Sequence, residues 1–465
     1  MAEIFNESII CGKFPEILKT GRVIPLFKSG SRSSLSNYRP ITTVSIFSKI
    51  FEKLVHKRLI NFIEKFNIIN LNQFGFQKNK NTSDALLEFT DNIYDALNNK
   101  QHFLSIFLDF SRAFDTVRID ILLDKFEFLG FRGPIYSWIK SFLCERKQFV
   151  NIGEKISDIQ LTKMGVPQGS TLGPLFFIIY INDMKNSLSN MKVIHFADDS
   201  TLYASFEKNL DISELINTNL LSLRNWLSAN KLFLNINKTN YIIFNNRSRP
   251  PDLNLKIGDR FIKRTDTHKF LGIKIDENLI FRAHVENLSS QVARNVGMIR
   301  KMSQHVPKSV LRQLHHAFVF SKFTYALPVY GSACPTYVRR LSKLVEKSIK
   351  TVVGARTFVS DICKCEKNVD FQLAHKFFSN IKMYQILHSN QHVYFKNKIQ
   401  SFQVYHMYGT RNLHSNCLTL PFYHFSKCQR SFLYNGIENW NNLPLSLRNS
   451  SESKFKRNLK KFLLS

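Results

Sequence analysis

KVIHFADDSTLYA (192–204) sets two short apolar runs on either side of Asp198-Asp199. β-Branched and aromatic residues flanking a polar pair are the pattern of a β-hairpin with the acids at its tip. A carboxylate beside buried strands carries a desolvation cost unless something offsets it. Water at an exposed hairpin tip is one answer, and it makes the pair an ordinary polar turn. A divalent cation is the other, because Mg2+ takes oxygen ligands and keeps positions for phosphate oxygens. The pair alone leaves both readings open.

Working outward, FLSIFLD (103–109) is an apolar run ending in Asp109 and predicts a buried strand. Residues 119–146 predict two helices broken near Gly130 to Pro134, and MGVPQGSTLGP (164–174) is a Gly/Pro loop leading into a helix over 175–184. A helix over 211–229, strands over 232–236 and 240–244, and one further strand over 268–275 follow. Upstream, GRVIPLFKSGSRSSLSNYRPI (21–41) predicts a strand, a loop and a turn at Arg39-Pro40. Residues 44–66 have helical spacing, and Thr82-Ser83-Asp84 offers the N-cap of a helix reaching about Leu97. Beyond 280 the pattern turns helical, amphipathic and basic, over 282–304, 308–320 and 336–353. Composition changes near 280 and again near 360.

Lys and Arg number 65 against 35 Asp and Glu, a formal charge of +30, which calls for a polyanionic partner. Nucleic acid and an acidic membrane surface are the two candidates. With 44% hydrophobic residues the chain can bury a sizeable core, which excludes a disordered protein. No segment reaches the ~20 apolar residues that span a bilayer, and Leu172 to Ile181 is interrupted by Gly173 and Pro174, so no membrane partner is expected. The N-terminus has no basic region before an apolar stretch, hence no secretory signal. Seven scattered cysteines point to reduced thiols in an intracellular setting. Cys363, Cys365, His414, Cys417, His424 and Cys428 could also be read as a zinc site, although C-x-C is tighter than finger spacing. Ordinary free cysteines are the preferred reading.

The segments LDFSRAFDTV (108–117), GVPQGSTLGP (165–174) and FADDSTLYA (196–204) occur in the order of the A, B and C motifs of reverse transcriptases, which they resemble. YRPI (38–41) and FGFQKNKNTSDAL (74–86) resemble the upstream finger motifs, and FLGIKID (270–276) the primer-grip strand. The variants are similar to those of non-LTR retrotransposons, the LINE group, jockey-like or RTE-like. FLYNGIENWNNLPLSLRN (432–449) looks like the tail of such elements.

The resemblance implies an α+β right-hand polymerase with fingers, palm and helical thumb, plus a mostly helical C-terminal region. Fingers and palm would occupy 1–280, the thumb 281–360 and the tail 361–465. It implies RNA-directed DNA polymerase activity on an RNA template, a DNA primer and dNTPs, with two Mg2+ ions, or Mn2+ in their place. Asp109, Asp198 and Asp199 would be the metal ligands, and Asp115 structural. Phe114 would be the gate against a ribose 2′-hydroxyl, a role compatible with core packing. Gln168 and Gly169 would contact the incoming nucleotide, with Gly165 also letting backbone come close. Lys28 and Arg39 would grip the triphosphate. Lys238 would be a general acid toward pyrophosphate, with Lys231 as the nearby residue open to confusion with it. Arg282, Arg294, Arg300, Lys301, Lys308 and Arg312 would touch nucleic-acid backbone. KFKRNLKKF (454–462) is preferentially a basic amphipathic helix.

The motifs start within the first 40 residues, so the expectation is the polymerase portion of an element without its endonuclease, and 366–465 shows no acid set resembling a ribonuclease H. Nuclear localisation with a cytoplasmic RNA–protein particle stage goes with that expectation. Two alternatives are a catalytically silent RNA-binding remnant and an RNA-templated RNA polymerase. The latter usually has Gly before Asp-Asp and an acid at the gate, where this chain has Ala197 and Phe114.

Overall fold

His102–Leu108 forms the central strand of a five-stranded sheet, and all 7 of its residues are buried. Successive side chains of a strand point to opposite faces. Phe103 and Phe107 accordingly enter one apolar core, and Leu104, Ile106 and Leu108 enter another. The strand order across the sheet is Lys263–Arg264, Asn240–Phe244, His102–Leu108, Asp199–Phe206, Lys192–Phe196. A sheet covered on both faces needs near-continuous apolar strands, which is what FLSIFL and YIIF supply. The computed structural model describes residues 1–207, 212–246, 251, 253–354, 370–389, 392–404 and 417–464.

One face of the sheet is covered by the helices Ile119–Phe128, Gly133–Leu143, Gly173–Tyr180 and Ser213–Ala229. Gly173–Tyr180 is apolar all round and buried in every residue but Pro174, as a helix at the centre of a core must be. The other face packs against the helix Thr82–Asn98. Its N-cap is Asn81, which forms a capping box with Asp84, so the cap lies one residue before the predicted cluster. The helices Arg282–Met302, Pro335–Val353, Phe371–His388, Phe432–Asn441 and Glu452–Leu464 extend that same core. The basic 454–462 segment lies in the last of these, with Phe455 and Leu459 buried and its charges outward. The predicted 308–320 helix is two pieces, Lys308–His315 and a π-helical turn His316–Phe320.

A second sheet pairs Tyr38–Thr43 with Thr20–Phe27, which runs parallel to Lys147–Ile152. Arg39-Pro40 is therefore strand, not the predicted turn. Tyr38–Thr43 is an edge strand, where a residue lacking an N–H leaves no ladder bond unmade. Two further expectations change. Residues 232–236 form no strand beyond one isolated bridge, Leu234 to Phe110. Residues 268–275 are two strands, Thr267–Phe270 and Ile273–Asp276, joined through Leu271 and Gly272. Both turn residues have positive φ, 43° and 87°, as a tight two-residue hairpin requires.

Charged contacts tie the C-terminal helices to Thr82–Asn98. Lys398 Nζ lies 2.5 Å from Asp91 and also bonds Asp95, and Lys382 pairs with Asp84. Of the zinc candidates, Cys363, Cys365 and His414 lie outside the described residues. Cys428 is buried and its thiol donates to the Tyr94 carbonyl at 3.6 Å. No helix among the described residues is long and apolar enough to cross a membrane.

Candidate active site

Asp109 follows the last residue of the central strand, so the strand delivers it to the sheet edge. Its backbone is clamped there. Asn235 N–H donates to its carbonyl at 2.8 Å, and its own N–H donates to Thr239 Oγ1 at 3.4 Å. The irregular 232–239 stretch thus serves as a clip on Asp109. Asp198 and Asp199 come from the neighbouring hairpin, where Phe196 pairs with Asp199 and Ala197-Asp198 make the turn. Ala197 has φ of 57°, a left-handed conformation that residues other than glycine adopt uncommonly.

The turn is held from outside by a residue that the sequence reading passed over. Gln73 is 2% exposed, and its Oε1 accepts from Gly75 N–H at 2.8 Å and Ala197 N–H at 3.2 Å. Phe74 N–H donates to the His195 carbonyl at 2.8 Å, and His195 N–H to the Asn72 carbonyl at 2.9 Å. A Cβ on Gly75 would sit 2.3 Å from Ala197 N, so only glycine allows this approach.

The three aspartates line a cleft of about 1230 Å3 together with Lys28, Arg39, Phe114, Gln168 and Lys238. Both acids of the hairpin open onto the cleft but are crowded by its walls. Burial, and then repulsion from Asp198 and Asp109, pushes Asp199 up to about 6, with Lys28 opposing. Asp198 is raised by burial and by Asp109, against the pull of Arg39 and Lys28. Burial is the leading cause for both, so the cleft disfavours the bare charged carboxylates. Among the described residues no three His, Cys, Asp or Glu side chains are already closed up into a ready cage.

Lys238 Nζ lies 3.7 Å from Asp109 Oδ2, with both side chains well exposed. Lys231 does not line the cleft; it sits past the end of Ser213–Ala229. Phe114 stacks on Phe177 with centroids 4.4 Å apart, so the ring packs and lines the cleft at once. Gln168 Nε2 donates to Asp115 Oδ1 at 2.8 Å, which gives Asp115 a fixing role. The Gly/Pro loop itself is anchored twice. Thr42 N–H donates to the Gln168 carbonyl at 2.6 Å, and buried Glu52 accepts from Thr171 N–H at 2.6 Å. Gly169 has φ of 124°, and a Cβ there would meet Thr42 O at 2.2 Å. The close approach that the structure shows for Gly169 is to the edge strand of the second sheet. Gly165 similarly abuts the backbone of Asp115.

Arg282, Arg294, Arg300, Lys301, Lys308 and Arg312 are all exposed, and none lines the cleft. Gln73, Glu52, Asn235 and Thr239 are the positioning residues that the sequence reading missed. Gln73, Glu52 and Thr239 are buried polar side chains, and Asn235 acts through its backbone N–H, so no local pattern announces them.

A palm sheet with one acid at the end of its central strand and two on the adjacent hairpin, joined to a second sheet and a helical region, defines a right-hand polymerase. A family model described as reverse transcriptase (RNA-dependent DNA polymerase) matches residues 25–275, and the chain belongs to that family. It is 28% identical over 371 residues to the RNA-directed DNA polymerase from mobile element jockey of Drosophila melanogaster, covering 76% of this chain and 40% of that protein. It is 27% identical over 366 residues to the probable RNA-directed DNA polymerase from transposon X-element of the same species, covering 77% and 40%. The chain thus spans about two fifths of these relatives. They bear out the resemblance to non-LTR elements read from the motifs. Among solved structures, apo telomerase from Candida tropicalis aligns with a TM-score of 0.41 at 14% identity, covering 76% of this chain and 65% of that one.

Proposed function

We propose that the chain is an RNA-directed DNA polymerase that adds deoxynucleotides to a primer 3′-hydroxyl on an RNA template, as the polymerase portion of a non-LTR mobile element. The convergence of Asp109, Asp198 and Asp199 on one cleft with Lys28 and Arg39 carries this reading. The donor set is oxygen only, which suits Mg2+, and its raised carboxyls are what a dication relieves. Asp109, Asp198 and Asp199 would hold two such ions, Mg2+ or Mn2+, which when bound favour attack by the primer hydroxyl and departure of pyrophosphate.

The remaining work falls to the chain's own groups. Lys28 and Arg39 bind triphosphate oxygens, Arg39 through its planar fork. The Phe114 ring, braced by Phe177 and lining the cleft, is the group that would exclude a 2′-hydroxyl. Gln168, steadied by Asp115, orients the nucleotide. Lys238, whose Nζ lies 3.7 Å from Asp109 Oδ2, is placed to act as general acid toward pyrophosphate. Primer extension on an RNA template with dNTPs and Mg2+ tests the reading. Product from the native chain and none from Asp198→Asn supports it. Equal product from both sinks it, and RNA binding without extension favours the silent-remnant alternative.

A further inference from the structure

The segment FGFQKNKNTSDAL (74–86) carries two lysines, of which Lys78 is exposed and Lys80 half-buried. Lys80 Nζ donates to the Leu71 carbonyl at 2.5 Å and to the Gln73 carbonyl at 3.1 Å, and it lies 4.9 Å from the centroid of the Phe74 ring. One ammonium thus clamps the backbone on both sides of Asn72. The links to the catalytic hairpin leave from inside and beside that clamp. The Asn72 carbonyl accepts from His195 N–H at 2.9 Å, Asn72 Nδ2 donates to the Val193 carbonyl at 3.0 Å, and Gln73 Oε1 accepts from Ala197 N–H at 3.2 Å. Lys80 lines a cavity of about 220 Å3 between Thr82–Asn98 and Val393–Val404. Asp84 and Glu88, four residues apart on Thr82–Asn98, line the same cavity. Burial draws the Lys80 ammonium below its ordinary pKa, and Glu88 and then Asp84 pull it back. Asp84 is itself fixed, by the capping box with Asn81 and by its pairing with Lys382 of Phe371–His388.

We propose that Lys80 is a positioning residue for nucleotide addition, holding segment 71–74 so that it can in turn hold the Asp198 turn. The inference rests on the polymerase reading and adds to it a residue that does not line the cleft. A hydrogen bond from an ammonium is stronger than a neutral one, which suits a clamp on backbone outside any strand beyond the single bridge of Gln73 to His195. A lysine serving only the seam between Thr82–Asn98 and the C-terminal helices would direct its donors at the acids there, as Lys382 and Lys398 do. Among the described residues Lys80 makes no ion pair with Asp84 or Glu88, and both of its side-chain hydrogen bonds go to carbonyls of the clamped segment. The acids supply the field that favours the charged ammonium, and the segment receives the bonds.

The test compares the native chain with Lys80→Met and Lys80→Arg by single-turnover primer extension and by hydrogen–deuterium exchange read by mass spectrometry. Methionine keeps an unbranched stem among Leu71, Phe74, Val393 and Phe395 and removes the charge with its donors, whereas arginine restores both. Lys80→Met should slow extension at saturating dNTP at least about tenfold, while the dNTP concentration giving half the maximal rate stays within about twofold. Amide exchange over 195–199 should rise at least about tenfold in the same variant, with His102–Leu108 as protected as in the native chain. Lys80→Arg should recover most of the rate and of the protection. Lys80→Met with Glu88→Leu removes both charges of the cavity together, covers a single variant that does not fold, and should be as slow. Extension within about twofold of the native rate in the methionine variants overturns the proposal. So does exchange that rises equally in His102–Leu108, the mark of a merely structural lysine, and so does an arginine variant no better than the methionine one. The exchange arm needs no catalysis, so it decides the clamp even where the native chain extends no primer and the polymerase reading fails.

Discussion

Replacing Gln73 by leucine should detach the Asp198 turn from its support. The two side chains are close in volume, so the packing of a residue only 2% exposed is largely kept. What is lost is one oxygen that accepts from Gly75 N–H at 2.8 Å and Ala197 N–H at 3.2 Å. A buried donor left without a partner costs about 1–3 kcal/mol, and the longer bond contributes at the low end, so roughly 3 kcal/mol is expected in total. The turn can recover part of this by moving until water reaches Ala197 N–H, and that movement displaces Asp198. A displacement of about 1 Å at reacting groups costs on the order of 100-fold in rate. Thermal unfolding should fall by several degrees, and single-turnover primer extension should drop by about that factor. Affinity for primer–template should change little, because no cation of the cleft is touched. A melting temperature within about one degree of the native chain together with a rate within about twofold would refute the reasoning.

Phe114→Ala should raise ribonucleotide incorporation relative to deoxynucleotides at least about tenfold, read by paired extension assays; unchanged sugar selection removes the gate assignment. Glu88 is pushed up to about 7 by burial, with Asp91 and Asp84 adding and Lys80 and Lys192 opposing. The folded state therefore keeps a proton that the unfolded state has released, so stability should fall as pH rises from about 4.5 to about 7, and Glu88→Gln should flatten that slope in denaturant titrations at pH 5 and pH 8. Lys398→Met leaves Asp91, itself 2% exposed, and Asp95 without their shared cation, and should cost about 3–5 kcal/mol in chemical unfolding. Gly169→Ala should be destabilised by about 1–3 kcal/mol or more, as it combines a disfavoured φ with a clash against Thr42; an unchanged midpoint removes that docking contact.

The elements with strong periodicity were legible before any coordinates. FLSIFLD had to be a strand buried on both faces, and the two apolar runs around Asp198-Asp199 had to fold back on each other. Errors fall where a local signal has two structural outcomes. Arg39-Pro40 carries the mark of a turn, yet the same residue type is tolerated on a sheet edge, and only the strand order shows that this is one. HKFLGIKI is continuous in hydropathy because Leu271 is apolar, so the chain reversal at Leu271-Gly272 leaves no polar break. The cleft acids were found through their motifs. Gln73 and Glu52 were not, because each acts through backbone N–H groups more than a hundred residues away, at Ala197 and at Thr171. The C-terminal helices resist reading for a related reason: they bury aromatic residues against Thr82–Asn98, a partner far off in the chain.

That last arrangement bears on how the protein is made. Phe89 and Phe103 share one continuous core with Phe455 and Leu459. A ribosome delivers the chain from its N-terminus at about 5–20 residues per second. The outer side of Thr82–Asn98 therefore waits, uncovered and aggregation-prone, through the synthesis of more than three hundred further residues before its last cover emerges. A chaperone that holds that face during translation would govern the yield of folded protein, and a nascent chain stalled near residue 280 would carry every cleft aspartate while its palm helix still lacked its shield.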